Sequence, residues 1–170
     1  MTDYNGVIKD LIAGKWVNPE DKRKYGIPIK KIEIDKSLDG KESLLISQLH
    51  TNQNLLIVSD QFTHKALGSR IYKNLQGKVK ADEYIWESPS SSIEGVEFLR
   101  KKIKDYDGVI AVGSGTVSDS IKYATFLEKK SYSVFATTPM MLTQQAQPLY
   151  LLMGSKNHWL RIMHKVFSLI

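Results

Sequence analysis

Two short segments carry residue types that can hold a nucleotide. Gly113-Ser114-Gly115-Thr116 lies between the apolar run "GVIAV" and a helix-like segment, "TVSDSIKYATFLEKK". Glycines there let the backbone turn tightly and approach a ligand closely. A helix N-terminus behind them offers free N–H groups and a positive dipole end to a pyrophosphate. Thr116, Ser118 and Asp119 are of the types that cap helices. The third glycine of the common dinucleotide fingerprint, G-x-G-x-x-G, is Ser118 here. By itself the loop therefore reads equally well as a phosphate cradle and as a tight strand-to-helix turn. Asp60 closes the apolar run "NLLIVSD". Acids at strand ends meet ribose hydroxyls in nucleotide folds. The same position suits the N-cap of the segment that follows, and one residue can serve both purposes.

Other reactive constellations are not legible. The four histidines, His50, His64, His158 and His164, show no second ligand at i+3 or i+4 on a convincing helix. A zinc or iron site needs three or more placed N or O donors, so each histidine is expected at the surface. No serine–histidine–acid set can be argued. The sequence has no cysteine. That excludes disulfides and thiolate metal sites and fits a reducing, cytoplasmic location.

The elements that would position these residues alternate. A short helix is expected over residues 4–13. "WVNPEDKRKYGIP" reads as a loop broken by Pro19 and Pro28, and "IKKIEID" reads as an edge strand. "KESLLISQLHTNQ" is a helix candidate. Strands are expected at "NLLIVSD", "VKADEYIW", "DGVIAVGSG" and "YSVFATTP". Between them lie helices that place Leu67, Ile71 and Leu75 on one face, and Val96, Leu99 and Ile103 on another. Gly77 suits the end of the first of these helices, and the serines before Ile93 suit the start of the next. This order predicts an α/β fold with a doubly wound, mostly parallel sheet.

A chain of 170 residues, 42% hydrophobic and 25% charged, suits one such domain. The formal net charge of +6 is spread over lysines interleaved with acids. A solvated surface is therefore expected, rather than a nucleic-acid stripe. No run approaches the roughly 20 apolar residues of a membrane span, and the N-terminus does not read as a signal peptide. The last thirty residues differ from the rest. All 18 acids precede residue 129, and three of the five methionines follow residue 140. The end of the chain, "HWLRIMHKVFSLI", is amphipathic and basic. It suits a helix docked on the domain, with a membrane-surface helix as the alternative.

The stretch from "LLIVSDQFTHKALG" through "GVIAVGSGTVSDSIKYATF" to "SVFATTP" resembles the glycerol-1-phosphate dehydrogenases, within the superfamily of iron-containing alcohol dehydrogenases and dehydroquinate synthases. The shared pattern is strand-Asp-x-x-Thr-His, then Gly-Ser-Gly-Thr-x-x-Asp, then a strand ending in Thr-x-Pro, over about residues 27–139. The resemblance implies that a Rossmann-like N-terminal domain binds NAD or NADP. It implies reduction of a small phosphorylated ketone, dihydroxyacetone phosphate, to glycerol 1-phosphate. By similarity Asp60 binds the adenosine ribose. Gly113, Ser114, Gly115, Thr116 and Val117 hold the pyrophosphate, and Thr137 contacts the nicotinamide side. Relatives carry a divalent metal (zinc, nickel or iron) on an Asp and two His of a helical domain. They also follow Thr-x-Pro with an Asp that meets substrate. Here the text reads "TTPMMLTQQAQ", without that Asp. The resemblance thus implies a nucleotide-binding domain over residues 1–139 that lacks the metal-binding helical domain.

Residues 140–170 then read as an aberrant tail. Back-translated from the third base of the Met140 codon, the segment allows Asp-Ala-Tyr-Thr, and the shifted frame of "MGSKNHW" allows Gly-Phe-Lys-Lys. Both strings resemble the family's continuation, so a shifted reading frame is expected from about Met140. Two functions remain open on these grounds. One is a truncated NAD(P)-dependent oxidoreductase of this type, inactive alone. The other is a non-catalytic remnant that at most binds nucleotide.

Overall fold

A computed structural model describes residues 4–26, 30–31, 33, 37–51, 53–113 and 115–137. They fall into two units, one ending at Ser37 and one beginning at Leu38.

In the first unit, helix α1 (Tyr4–Ile12) precedes two short strands, β1 (Trp16–Val17) and β2 (Lys24–Tyr25), paired antiparallel. This ribbon replaces the loop expected for "WVNPEDKRKYGIP". The strands are too short to show a period of two. What closes them is local: Asn18 Oδ1 accepts from the Glu20 N–H at 2.9 Å, and Lys22 takes a left-handed φ of 61°. The rings of Trp16 and Tyr25 meet across the ribbon at 6.2 Å. The edge strand expected at "IKKIEID" lies largely outside the described residues, as does the C-terminal segment.

The second unit holds the sheet. Helix α2 (Glu42–Leu49) leads to β3 (Leu55–Ser59). After β3 come α3 (Gln61–Thr63), a π-helical turn (His64–Gly68) and α4 (Ser69–Leu75). Then follow β4 (Ala81–Ile85), α5 (Ile93–Lys102), β5 (Gly108–Gly113), α6 (Gly115–Leu127) and β6 (Ser131–Ala136). The four strands are parallel, in the order β4-β3-β5-β6. The expected helix of residues 61–77 is present, with one difference. It widens into a π turn, and the buried Gly68 lies within that turn. A Cβ on Gly68 would stand 3.3 Å from Ser59 Oγ, so glycine lets this wide turn lie close against the end of β3. Gly77, with φ of 72°, supplies the left-handed turn just beyond α4.

Both faces of the sheet are covered, because alternate residues of β3 and β5 point to opposite sides. Leu56, Val58, Val109 and Ala111 pack with Val96 and Leu99 of α5, Ile103 just beyond its end, and Val117, Ile121 and Ala124 of α6. Leu55, Ile57, Ile110 and Val112 pack with Ile46, Ile71 and Leu75. Ser92 caps α5, its Oγ accepting from the Gly95 N–H at 3.2 Å. The architecture is the doubly wound α/β fold that the alternation predicts. Among the described residues there is no helical domain.

Candidate functional site

Parallel strands bring all their C-terminal ends to one edge. The register pairs Ser59 with Val112 and with Ile85, and Gly113 with Ala136. Asp60, Gly113 and Thr137, which leave β3, β5 and β6, therefore share that edge. The winding also changes direction there. From β3 the chain moves outward to β4; from β5 it moves the other way, to β6. The crevice between β3 and β5 is thus a topological switch point, where open α/β sheets bind ligands.

On one side of the crevice stands Asp60. It is the N-cap of α3, in extended conformation. Its Oδ1 accepts from the Thr63 N–H at 2.8 Å, while the Asp60 N–H donates to Thr63 Oγ1 at 3.0 Å. This reciprocal capping box holds residues 60–63 rigidly. Oδ2 of Asp60 has no protein hydrogen bond among the described residues and is left for another partner. The cap reading of Asp60 is therefore realised in full without consuming the carboxylate.

On the other side stands Gly113. Its φ is not left-handed, so it is not a turn glycine. Its need for glycine is steric: a Cβ there would stand 3.2 Å from Val117 Cβ and 3.4 Å from Thr63 Oγ1. The same contact joins the two halves of the site, since Thr63 belongs to the capping box. Ser114 lies outside the described residues. Helix α6 runs from Gly115 for 13 residues, so Gly115, Thr116 and Val117 form its first turn, whose N–H groups lack intrahelical acceptors. Thr116 is exposed, whereas the Val117 side chain is buried and offers only its backbone outward. Ser118 and Asp119, read from sequence as caps, lie inside the helix instead. Buried Ser118 shares a hydrogen bond of 2.8 Å with the Tyr132 hydroxyl. Thr137 is half-buried, one residue past β6.

Electrostatics are unusual further along α6. Burial holds the Lys122 ammonium down to about 8, against the pull of Asp119. Burial likewise raises the Asp119 carboxyl, with Lys122 opposing. Tyr132 is raised as well, chiefly by burial. The Lys122 Nζ sits 5.9 Å from the Tyr132 ring centroid. Sequence reasoning misses this group, because nothing in a lysine's own position announces that its neighbours desolvate it.

The histidines depart from expectation. His50 is buried, not at the surface. Its Nε2 is 2.6 Å from Ser133 Oγ, and its Nδ1 is 2.8 Å from Gln53 Oε1. It lies near the start of β6, away from the switch point. His64, half-buried in the π turn, meets Glu83 at 3.1 Å. His158 and His164 are outside the described residues. Among the described residues no three His, Cys, Asp or Glu side chains come together to hold a metal, and no helix is long and apolar enough to cross a membrane.

Solved structures share this arrangement. A glycerol dehydrogenase from Schizosaccharomyces pombe superposes with a TM-score of 0.53 at 19% identity, covering 59% of this chain and 25% of that one. A maleylacetate reductase from Agrobacterium tumefaciens gives 0.52 at 15% identity, covering 64% and 31%. At such identities the likeness is one of fold. The chain spans about a quarter of the length of the first relative. No curated protein matches the sequence. The sequence pattern of the iron-containing alcohol dehydrogenases does match, over residues 33–141, which takes in the entire four-stranded sheet and its switch point. On that match the chain belongs to the iron-containing alcohol dehydrogenase family.

Proposed function

We propose that residues 1–139 form the NAD(P)-binding domain of an enzyme like the glycerol-1-phosphate dehydrogenases. Asp60 takes the adenosine ribose through Oδ2. Gly113, Ser114, Gly115, Thr116 and Val117 hold the pyrophosphate through backbone N–H groups at the start of α6. Thr137, on the same edge, lies toward the nicotinamide. The observation that carries this reading is the contact at the switch point. Thr63 Oγ1 stands where a side chain on Gly113 would crowd it, so the acid-bearing turn and the glycine loop form one cradle that a Cβ would partly fill.

The nicotinamide, when bound, supplies or accepts the hydride of an alcohol–ketone exchange. This chain's residues bind and orient it. The substrate class, dihydroxyacetone phosphate and glycerol 1-phosphate, rests on the motif resemblance. Among the described residues no three His, Cys, Asp or Glu side chains come together to hold a metal. A second reading of the same site is a chain that binds dinucleotide without turnover.

Calorimetric titration of the 170-residue protein with NAD and with NADP tests the first reading. Absence of heat with both overturns it. An assay of NADH-dependent dihydroxyacetone phosphate reduction, with zinc, nickel or iron added, separates the two readings. Measurable turnover overturns the second.

We further propose that residues 140–170 are an out-of-frame tail appended to the 1–139 domain. The family match ends at residue 141, which supports this reading. Sequencing the coding DNA tests it. A downstream shifted frame without family sequence overturns it.

A further inference from the structure

We propose that Phe62 is the platform on which the adenine ring of the dinucleotide stacks. The proposal rests on the cofactor reading of this edge and adds a residue to it.

Phe62 is 86% exposed, more than any other large hydrophobic residue among those described. A lone exposed apolar side chain is ordinary, so exposure alone decides nothing. Three further features set this one apart. The other exposed phenylalanines have partners: Phe98 lies 6.1 Å from the Tyr84 ring with Lys102 Nζ at 5.7 Å, and Phe126 stacks on Tyr123 at 6.5 Å. Among the described residues Phe62 has no aromatic or cationic partner. Its backbone is also fixed, because it lies between the two members of the capping box, Asp60 and Thr63. Finally, it lies at the switch-point edge. Asp60 is two residues before it, and the next residue, Thr63, borders Gly113.

Adenine offers a flat, uncharged π-face joined directly to the ribose. An apolar, planar side chain close in the chain to a ribose-binding acid is therefore suited to take the base. Phenylalanine is of that type. It has two rotatable side-chain bonds, so little freedom is lost on ordering, and offset stacking adds to area burial. The neighbouring Gln61 brings no charge that would compete with a neutral base.

The test uses the full chain, wild type and with Phe62→Ala or Phe62→Trp, titrated with ADP-ribose, NAD and nicotinamide mononucleotide. Phe62→Ala is expected to weaken ADP-ribose and NAD by about tenfold and leave nicotinamide mononucleotide unmoved. Phe62→Trp is expected to keep the affinity, its fluorescence quenched as ADP-ribose binds. Equal ADP-ribose affinity in wild type and Phe62→Ala overturns this proposal alone, as does a change in oligomeric state in place of the affinity loss. Failure of the wild type to bind either ADP-ribose or NAD overturns the cofactor reading, and this one with it.

Discussion

Asp60 and Thr63 hold each other twice. The Thr63 N–H donates to Asp60 Oδ1 at 2.8 Å, and the Asp60 N–H donates to Thr63 Oγ1 at 3.0 Å. One carboxylate oxygen is thus committed to the fold, and the other is free for the crevice beside Gly113. On the proposed cofactor reading, stability and ribose recognition fall to two atoms of a single side chain, and substitution can separate them.

Asp60→Asn retains an oxygen for the Thr63 N–H and loses the charge. Asp60→Ala loses both. Urea unfolding is expected to show Asn within about 0.5 kcal/mol of wild type and Ala about 1 kcal/mol below it, the usual worth of a cap. NAD affinity is expected to fall tenfold or so in both, as a charge-assisted hydrogen bond disappears. Full NAD affinity in Asp60→Asn would show that the carboxylate charge has no part in binding.

Gly113→Ala places a methyl group 3.2 Å from Val117 Cβ and 3.4 Å from Thr63 Oγ1. Val117 is packed in the core and the Thr63 hydroxyl is tied into the cap, so neither yields freely. The expected cost is about 1–2 kcal/mol of stability, with dinucleotide binding lost because the first turn of α6 moves outward. Gly40→Ala is a useful contrast. Its φ is 79° with no atom within 4 Å of a Cβ, so it strains the backbone and leaves binding intact. Equal loss of binding in both variants would argue that the effect is global.

Lys122 gives a pH signature. Its amine titrates near 8 in the folded protein, against 10.5 ordinarily, because burial disfavours the charge. A lysine with a depressed folded value costs stability while both states are protonated. Between about 8 and 10.5 the unfolded chain binds the extra proton, so stability rises with pH through that window and the cost is gone above it. Lys122→Met is therefore expected to be more stable than wild type at pH 7, by about 1 kcal/mol after allowing for partial exposure. The gap should close as pH approaches 10. Thermal melts of both proteins across pH 6–10 (roughly the range open to side-chain titration) check this, and a gap that is constant with pH counts against it.

Much of the fold is legible in the sequence because burial on both sheet faces writes long apolar runs such as Leu55–Ser59 and Gly108–Gly113, and covering helices write a period near 3.6. Asp60 and Gly113 are legible because strand ends are. What escapes depends on neighbours distant in sequence. The ribbon of Trp16 and Tyr25 is too short for a pattern. The π turn at His64–Gly68 packs where Gly68 abuts Ser59, and no local propensity encodes that. His50 resembles a surface residue in sequence, since its partners Ser131 and Ser133 lie some eighty positions later. Phe62 reads as one more helix residue, because its exposure is a property of the folded surface.

His50 also supports the last prediction. With Gln53 Oε1 accepting from both Nδ1 at 2.8 Å and the Ser131 hydroxyl at 2.8 Å, Nδ1 carries the proton. Nε2 then accepts from the Ser133 hydroxyl at 2.6 Å. The cluster ties the end of α2 to β6, and Gly108 leaves room for it, since a Cβ there would meet His50 Nδ1 at 3.2 Å. Removing the ring leaves half-buried polar partners without it, which costs more than the net worth of a bond. His50→Ala is therefore expected to lose about 2–3 kcal/mol, and Ser133→Ala about 1 kcal/mol. Because the two groups share one hydrogen bond, the double variant should fall short of the sum by about 1 kcal/mol. Urea unfolding of the four proteins measures the coupling. Strict additivity would mean that the short Nε2–Oγ contact contributes nothing to the fold.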